Sequence, residues 1–190
     1  LEALSIGVPM KDTDIAIRCN VVTLSEEESA YEKRHMIDHS AEEITTEEAD
    51  ELLKAVKEVF SGQTYQFYPG TSYRHLLIWD QGYVAELTPP HDILTKEIGS
   101  YLPDDDMLCE MMKRSYDILE AHPVNVKRRQ AGLRPANSIW FWGAGTRPML
   151  SSFEEKTKKK GAMISAVDLL KGIAVGAGMH NIEVTGADAS

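Results

Sequence analysis

The sequence predicts an α/β chain of the α+β type, a mixed and partly antiparallel sheet covered by helices, and three observations carry that prediction. Short runs rich in β-branched and aromatic residues are set off by proline, glycine and aspartate, as strands and turns are. Amphipathic stretches with start signals lie between those runs, as helices do. Hairpin-like and helix-separated strands are interleaved with no internal repeat, which suits helices laid on a sheet.

The elements follow in chain order. Ile15 to Leu24 alternates and then runs apolar with many β-branched members, the pattern of a largely buried strand, and it places Arg18 and Asn20 on one face. The acidic stretch 25–32 has no apolar period and reads as a solvated loop or exposed turn. Thr45-Thr46-Glu47-Glu48 has the spacing of a capping box, in which a hydroxyl and a carboxylate satisfy the free amides of a helix start. Ala49, Leu52, Leu53, Val56, Val59 and Phe60 then recur at helical spacing, and Gly62 stands at the expected stop.

Tyr65 to Tyr68, Arg74 to Trp79 and Tyr83 to Leu87 read as three antiparallel strands separated by Pro69-Gly70 and Asp80-Gln81-Gly82. Asp104 to Asp106 offer anionic caps for a helix with Leu108, Met111, Met112, Ser115, Ile118 and Leu119 on one side, ending near His122-Pro123. Ser138 to Trp142 is a further strand, Ala162 to Ala177 a helix with Met163, Ala166, Val167 and Leu170 inward, and Asn181 to Val184 a last strand.

Length and composition bound the class. A chain of 190 residues holds one domain of ordinary size, and 43% hydrophobic with 26% charged residues is the make-up of a globular protein. A net charge of −10 argues against a nucleic-acid partner, although one well-placed arginine can still hold a small anion. Two distant cysteines, Cys19 and Cys109, fit a reduced compartment, and no stretch is long and apolar enough for a membrane span, so a cytoplasmic protein with no membrane partner is expected. The chain starts Leu1-Glu2-Ala3-Leu4 without methionine, which suggests a piece of something longer.

Several groupings could carry chemistry. His35 and His39 are four apart with Asp38 beside the second, near the spacing of some zinc peptidases, but aspartate stands where glutamate would activate water. Gly143-Ala144-Gly145-Thr146-Arg147-Pro148 after Trp142 reads as a glycine loop delivering Arg147 to a phosphate or carboxylate, or as a plain strand exit. Arg74-His75, Pro89-Pro90-His91-Asp92 and Arg134-Pro135-Ala136-Asn137 fall at loop–strand junctions, where a scaffold presents polar groups to a ligand. Together they suggest a small anionic ligand gripped by guanidinium forks, while each taken singly could be a salt-bridge partner. The basic run Lys156 to Lys160 reads as a solvated linker or a helix start.

Longer strings carry a resemblance. Ile17-Arg18-Cys19-Asn20-Val21-Val22-Thr23, Asp38-His39-Ser40-Ala41 leading to Ile44-Thr45-Thr46-Glu47-Glu48-Ala49, Tyr73-Arg74-His75-Leu76, Pro89-Pro90-His91-Asp92-Ile93, Arg134-Pro135-Ala136-Asn137-Ser138-Ile139-Trp140-Phe141-Trp142-Gly143 and Gly161-Ala162-Met163-Ile164-Ser165-Ala166-Val167-Asp168-Leu169-Leu170-Lys171-Gly172 occur in order. The chain resembles the archaeal-type cofactor-independent phosphoglycerate mutases, some bacterial members of which carry a homoserine kinase label, and the resemblance covers nearly all of its length.

That resemblance implies an alkaline-phosphatase-like metalloenzyme in which an inserted lid domain closes over the substrate. Residues 1–190 would be this single inserted domain, with 1–14 and 155–190 as linkers to a metal-bearing core outside the chain. The parent would be a glycolytic isomerase interconverting 2- and 3-phosphoglycerate through a phosphoserine, with manganese, magnesium or zinc in that core and no metal in this chain. The fragment alone would be inactive and hold no catalytic residue. Asp38, His39, Arg74, His75, His91, Asp92, Arg134 and Arg147 would bind phosphoglycerate or a similar small phosphorylated acid. The family often continues glycine-histidine-isoleucine after the serine-alanine pair, whereas this chain has Glu42-Glu43-Ile44. Either Glu43 points to solvent or the substrate differs. The alternatives are a paralogue acting on another phosphorylated or phosphonate metabolite, and a non-catalytic binding module.

Overall fold

A computed structural model describes residues 7–9, 11–60, 62–146 and 163–165. Its centre is β2 (Asp14–Leu24), buried along nearly its whole length. β5 (Arg74–Asp80) pairs with it from Asn20↔Arg74 to Asp14↔Asp80, and β4 (Tyr65–Tyr68) lies outside β5. β6 (Ser138–Thr146) pairs along the same stretch of β2, and β3 (Met36–Asp38) meets the end of β2 at Thr23 and Leu24. Every ladder among the described strands is antiparallel, so the mixed sheet expected from sequence is here an antiparallel one.

α1 (Thr46–Val59) begins as its capping signal requires: Thr45 Oγ1 accepts from the Glu48 amide at 3.2 Å and donates to Glu48 Oε1 at 3.1 Å. Ala49, Leu52, Leu53 and Val56 are buried, while Val59 is exposed. α2 (Asp106–Leu119) is capped by Asp105, whose Oδ1 accepts from the amides of Met107 and Leu108. Its Leu108, Met111, Met112 and Leu119 join Ile17, Cys19, Val21, Leu77, Ile139 and Phe141 in one core cluster. Alternation sends the neighbouring residues Ala16, Arg18, Asn20, Arg74, Leu76 and Trp142 to the opposite face.

Four local expectations are corrected. Residues 83–87 form no strand, because β5 already has a partner on each edge; Tyr83 instead packs on Trp79, ring centroids 5.1 Å apart. His122-Pro123 does not merely end α2. It opens α3 (Pro123–Gln130), with proline in the first turn and His122 Nδ1 accepting from the Val124 amide at 3.1 Å. The glycine loop after Trp142 continues β6: Gly143 and Ala144 together oppose Ile17, a bulge whose left-handed step falls on Gly143, φ +68°. Met163–Ser165, expected in a helix, is strand β7 and pairs with β1 (Gly7–Pro9), since a strand partner at hand overrides helical periodicity. The rest of that expected helix, the strand at 181–184, the lysine run and Arg147 lie outside the described residues.

Candidate functional site

The face of the sheet turned away from α1 and α2 gathers a continuous string of aromatic and basic side chains. Its middle is Arg18 on β2, with the guanidinium carbon 4.4 Å from the Trp142 ring centroid. Desolvation lowers the Arg18 pKa to about 10, so the group stays charged at neutral pH. Trp142 donates from Nε1 to Asn20 Oδ1 at 3.0 Å, and Asn20 donates to the His39 carbonyl at 3.1 Å. Asn20 thus ties ring and turn to the central strand.

Two histidines continue the string. His91 meets Trp142 edge-on at 5.3 Å and His39 at 5.9 Å, and His39 meets Tyr73 at 5.8 Å, all between ring centroids. Arg74 closes it, 4.6 Å over the Tyr73 ring. The His91 segment is seated by Trp140, which donates from Nε1 to the Thr88 carbonyl at 2.8 Å. Desolvation lowers the His91 pKa; Asp92 opposes the shift, and His39 and Arg18 reinforce it. The His39 Nδ1 atom is buried with no hydrogen-bond partner. Beyond Tyr73 and Arg74 lies a cavity of about 280 Å³ that Glu43, Thr45, Thr46 and Ser72 also line.

The turn after His39 is strained. Ala41, Glu42 and Glu43 have φ of +49°, +61° and +51°, three successive non-glycine residues in the left-handed region. Each costs roughly 1–2 kcal/mol against its right-handed form, so the surroundings must hold them. Asp38 does part of this. Its Oδ1 accepts from the Ser40 amide and hydroxyl, and its Oδ2 from the Glu42 amide and from Arg134 Nη1 at 2.8 Å. Burial pushes the Asp38 carboxyl up, but these bonds outweigh it and hold the pKa below the usual aspartate value. Glu42 accepts from the Arg134 amide at 2.8 Å, so one of the unusual acids is a clamp, and Glu43 is exposed.

The residues expected from sequence therefore divide. His39, Arg74 and His91 come together on the string. Asp38 and Arg134 form one ion pair beside it, with Asp38 committed to the turn. Asp92 is exposed at 3.8 Å from His91. His75 stands elsewhere: adjacent strand residues point to opposite faces, so with Arg74 on the string His75 enters the core side, opposite Cys19. It is buried, its Nδ1 accepts from the Gly70 amide at 2.9 Å, and desolvation lowers its pKa to about 4. Arg147 lies outside the described residues.

Sequence reasoning missed Trp142 and Tyr73 as site residues and noted Arg18 and Asn20 only as sharing a face. The alternation of β2 was the signal that could have put Arg18 in the site. It also missed Arg128 altogether. The histidine pair His35/His39 straddles strand β3, and four extended residues separate such side chains by about 13 Å, too far for one metal. His35 instead lies 3.4 Å from Glu28. Among the described residues no three His, Cys, Asp or Glu side chains come together to hold a metal ion.

An antiparallel sheet with α1 and α2 on one face and an arginine–histidine–aromatic string on the other defines an α/β domain of the α+β type. The same fold occurs in the solved cofactor-independent phosphoglycerate mutase from Thermoplasma acidophilum, with TM-score 0.57 and 22% identity over 76% of this chain and 40% of that one. A sequence model of the 2,3-bisphosphoglycerate-independent phosphoglycerate mutases matches residues 1–125, and the chain belongs to that family. Relatives bearing that name include those of Methanosarcina barkeri, 47% identical over 192 residues, and Methanothermobacter thermautotrophicus, 40% identical over 193. Each match covers 98% of this chain but 46% of the relative, so the chain spans about half the length of the curated relatives it matches.

Proposed function

We propose that this chain is the substrate-capturing and closing part of a phosphoglycerate mutase that interconverts 2- and 3-phosphoglycerate through a phosphoserine held outside the chain. The observation that carries the reading is the string Arg18–Trp142–His91–His39–Tyr73–Arg74 on the face turned away from α1 and α2. Arg18 and Arg74 supply fixed positive charge for phosphate and carboxylate, and the aromatic rings lower the local dielectric so that each contact counts for more. His39 and His91 orient hydroxyls. Arg134, half-exposed beside Asp38, stands at the rim, and Asp92 tunes His91.

The antiparallel pairing of β1 with β7 supports the inserted-domain reading, because an insertion needs its entry and exit strands side by side. In this reading the divalent ion that neutralises phosphoryl oxygens is held in the core outside the chain. Manganese, magnesium and zinc all suit that role. Closure of this chain over the core excludes water and protects the phosphoserine from hydrolysis. No helix among the described residues is long and apolar enough to cross a membrane, and a cytoplasmic place in glycolysis follows from the proposed reaction.

A second reading, a different phosphorylated or phosphonate substrate, is favoured by Glu43, which shares the cavity with Arg74. The test is mutase activity of the full-length enzyme with manganese and without 2,3-bisphosphoglycerate, beside its Arg18→Met variant. Interconversion that falls at least 100-fold in the variant supports the reading. A folded, metal-loaded enzyme with no mutase activity rejects it in favour of another phosphorylated acid.

A further inference from the structure

The Arg128 side chain is 3% exposed and donates three hydrogen bonds to three separate parts of the chain, each to a residue outside the anion-facing string. Nη2 donates to the Ala41 carbonyl at 2.9 Å, Nε to the Arg134 carbonyl at 2.7 Å, and Nη1 to Glu48 Oε1 at 2.6 Å. We infer that Arg128 is a positioning residue: it pins the left-handed turn 41–43 and the Arg134 peptide at once, and so sets where His39 and Arg134 stand on the substrate face. The inference rests on the reading of that face as the substrate site.

The physical case begins with the strain. A run of three non-glycine residues at positive φ relaxes unless its ends are fixed. The leading end is fixed by Asn20, which holds the His39 carbonyl, and by Asp38. Within the run the Ala41 carbonyl is held by Arg128 from below. Arg134 is clamped on both sides of its own backbone, the amide by Glu42 and the carbonyl by Arg128, which leaves its guanidinium on Asp38. Loss of the Arg128 fork frees the turn and the Arg134 peptide together, and His39 and Arg134 shift relative to Arg18. The planar guanidinium is essential, since a lysine ammonium carries the charge for Glu48 but cannot serve three acceptors in one fork.

The test uses the full-length enzyme and two readouts, proton–nitrogen NMR of the His39 ring and Arg134 guanidinium, and 3-phosphoglycerate titration. In Arg128→Lys the His39 and Arg134 signals move while those of His75, on the far face, stay, and the dissociation constant rises at least tenfold. Glu48→Gln is the control for a purely structural role, because it removes the charge partner and leaves the bonds to Ala41 and Arg134. Its stability falls, its affinity stays within twofold. Adding Ala41→Gly to Arg128→Lys, which relieves the strain at one residue, restores part of the affinity, and this double variant stands in if the single one does not fold. Unmoved His39 and Arg134 signals, or equal loss of affinity in Glu48→Gln, overturn the inference. Wild-type full-length enzyme that shows no 3-phosphoglycerate binding rejects the substrate-site reading, and the NMR comparison still decides whether Arg128 positions the turn.

Discussion

The Arg18 guanidinium lies over the Trp142 ring because residue 143 is glycine. A Cβ built on Gly143 would stand 3.1 Å from Arg18 Cδ, and the φ of +68° there belongs to the left-handed region. Pairing and bulge act together: the ladder sets Trp142 directly opposite Arg18, and the missing side chain at the bulge that follows leaves room for the arginine stem. Gly143→Ala is expected to cost about 1–2 kcal/mol from backbone strain alone. It also pushes Arg18 off the ring, so 3-phosphoglycerate affinity falls further than stability predicts. Titration of the variant against a stability-matched control checks this, and wild-type affinity in a destabilised variant would contradict it.

The ion pair of Arg134 with Asp38 predicts a pH dependence. The Asp38 pKa is lowered in the folded protein, so its contribution to stability is fully present above the ordinary aspartate value near 4 and is lost as the pH falls through the folded value. Asp38→Asn keeps one oxygen for Ser40 but puts an NH2 where Oδ2 accepts from the Glu42 amide and from Arg134, and a loss of about 2–3 kcal/mol is expected at neutral pH. Denaturant curves at pH 7 and pH 3 should show the gap between wild type and variant closing at the lower pH. A constant gap would place the stabilising charge elsewhere.

Thr45→Ala tests the helix start independently of the site. Thr45 caps α1 through the Glu48 amide, and its removal is expected to cost about 1 kcal/mol. The Glu48 carboxylate keeps its second partner, Arg128, so anion binding should change little. A thermal midpoint lowered by a few degrees with unaltered titration is the expected pair of results; weakened binding would tie the cap to the site.

These cases show what was legible in the sequence. The three elements with local chemistry of their own, β2 with its alternation, α1 with its capping box and α2 with its aspartates, stand where the residues put them. Errors fell where the outcome depends on a distant partner. Tyr83 to Leu87 has strand-forming residues, but no free edge beside β5. Gly143-Ala144-Gly145 has loop composition, but β2 offers it a ladder. The site followed the same division. Arg74, His39 and His91 were visible as polar groups at junctions. Trp142 and Arg128 were not, because an aromatic strand residue and a helical arginine acquire roles only when Arg18 and the turn at Ala41 come to meet them.

His75 supplies the prediction that separates core from site. It shares a dipeptide with Arg74 but faces the opposite side of the sheet, buried and neutral, with Nδ1 engaged by the Gly70 amide. Its folded pKa, about 4, lies below the ordinary histidine value of 6.5. The unfolded chain therefore binds the extra proton first, and stability is complete above pH 6.5 and falls as the pH drops from there towards 4. His75→Gln keeps an acceptor for Gly70 without a titrating ring, so it should be less stable than wild type at pH 8 yet lose less on going to pH 5. Denaturation midpoints at the two pH values decide it. The same substitution should leave 3-phosphoglycerate binding within a few fold, because the ring contributes nothing to the string formed by Arg18, Trp142, His91, His39, Tyr73 and Arg74. Parallel pH slopes for variant and wild type, or a large loss of affinity without loss of stability, would return His75 to the substrate face.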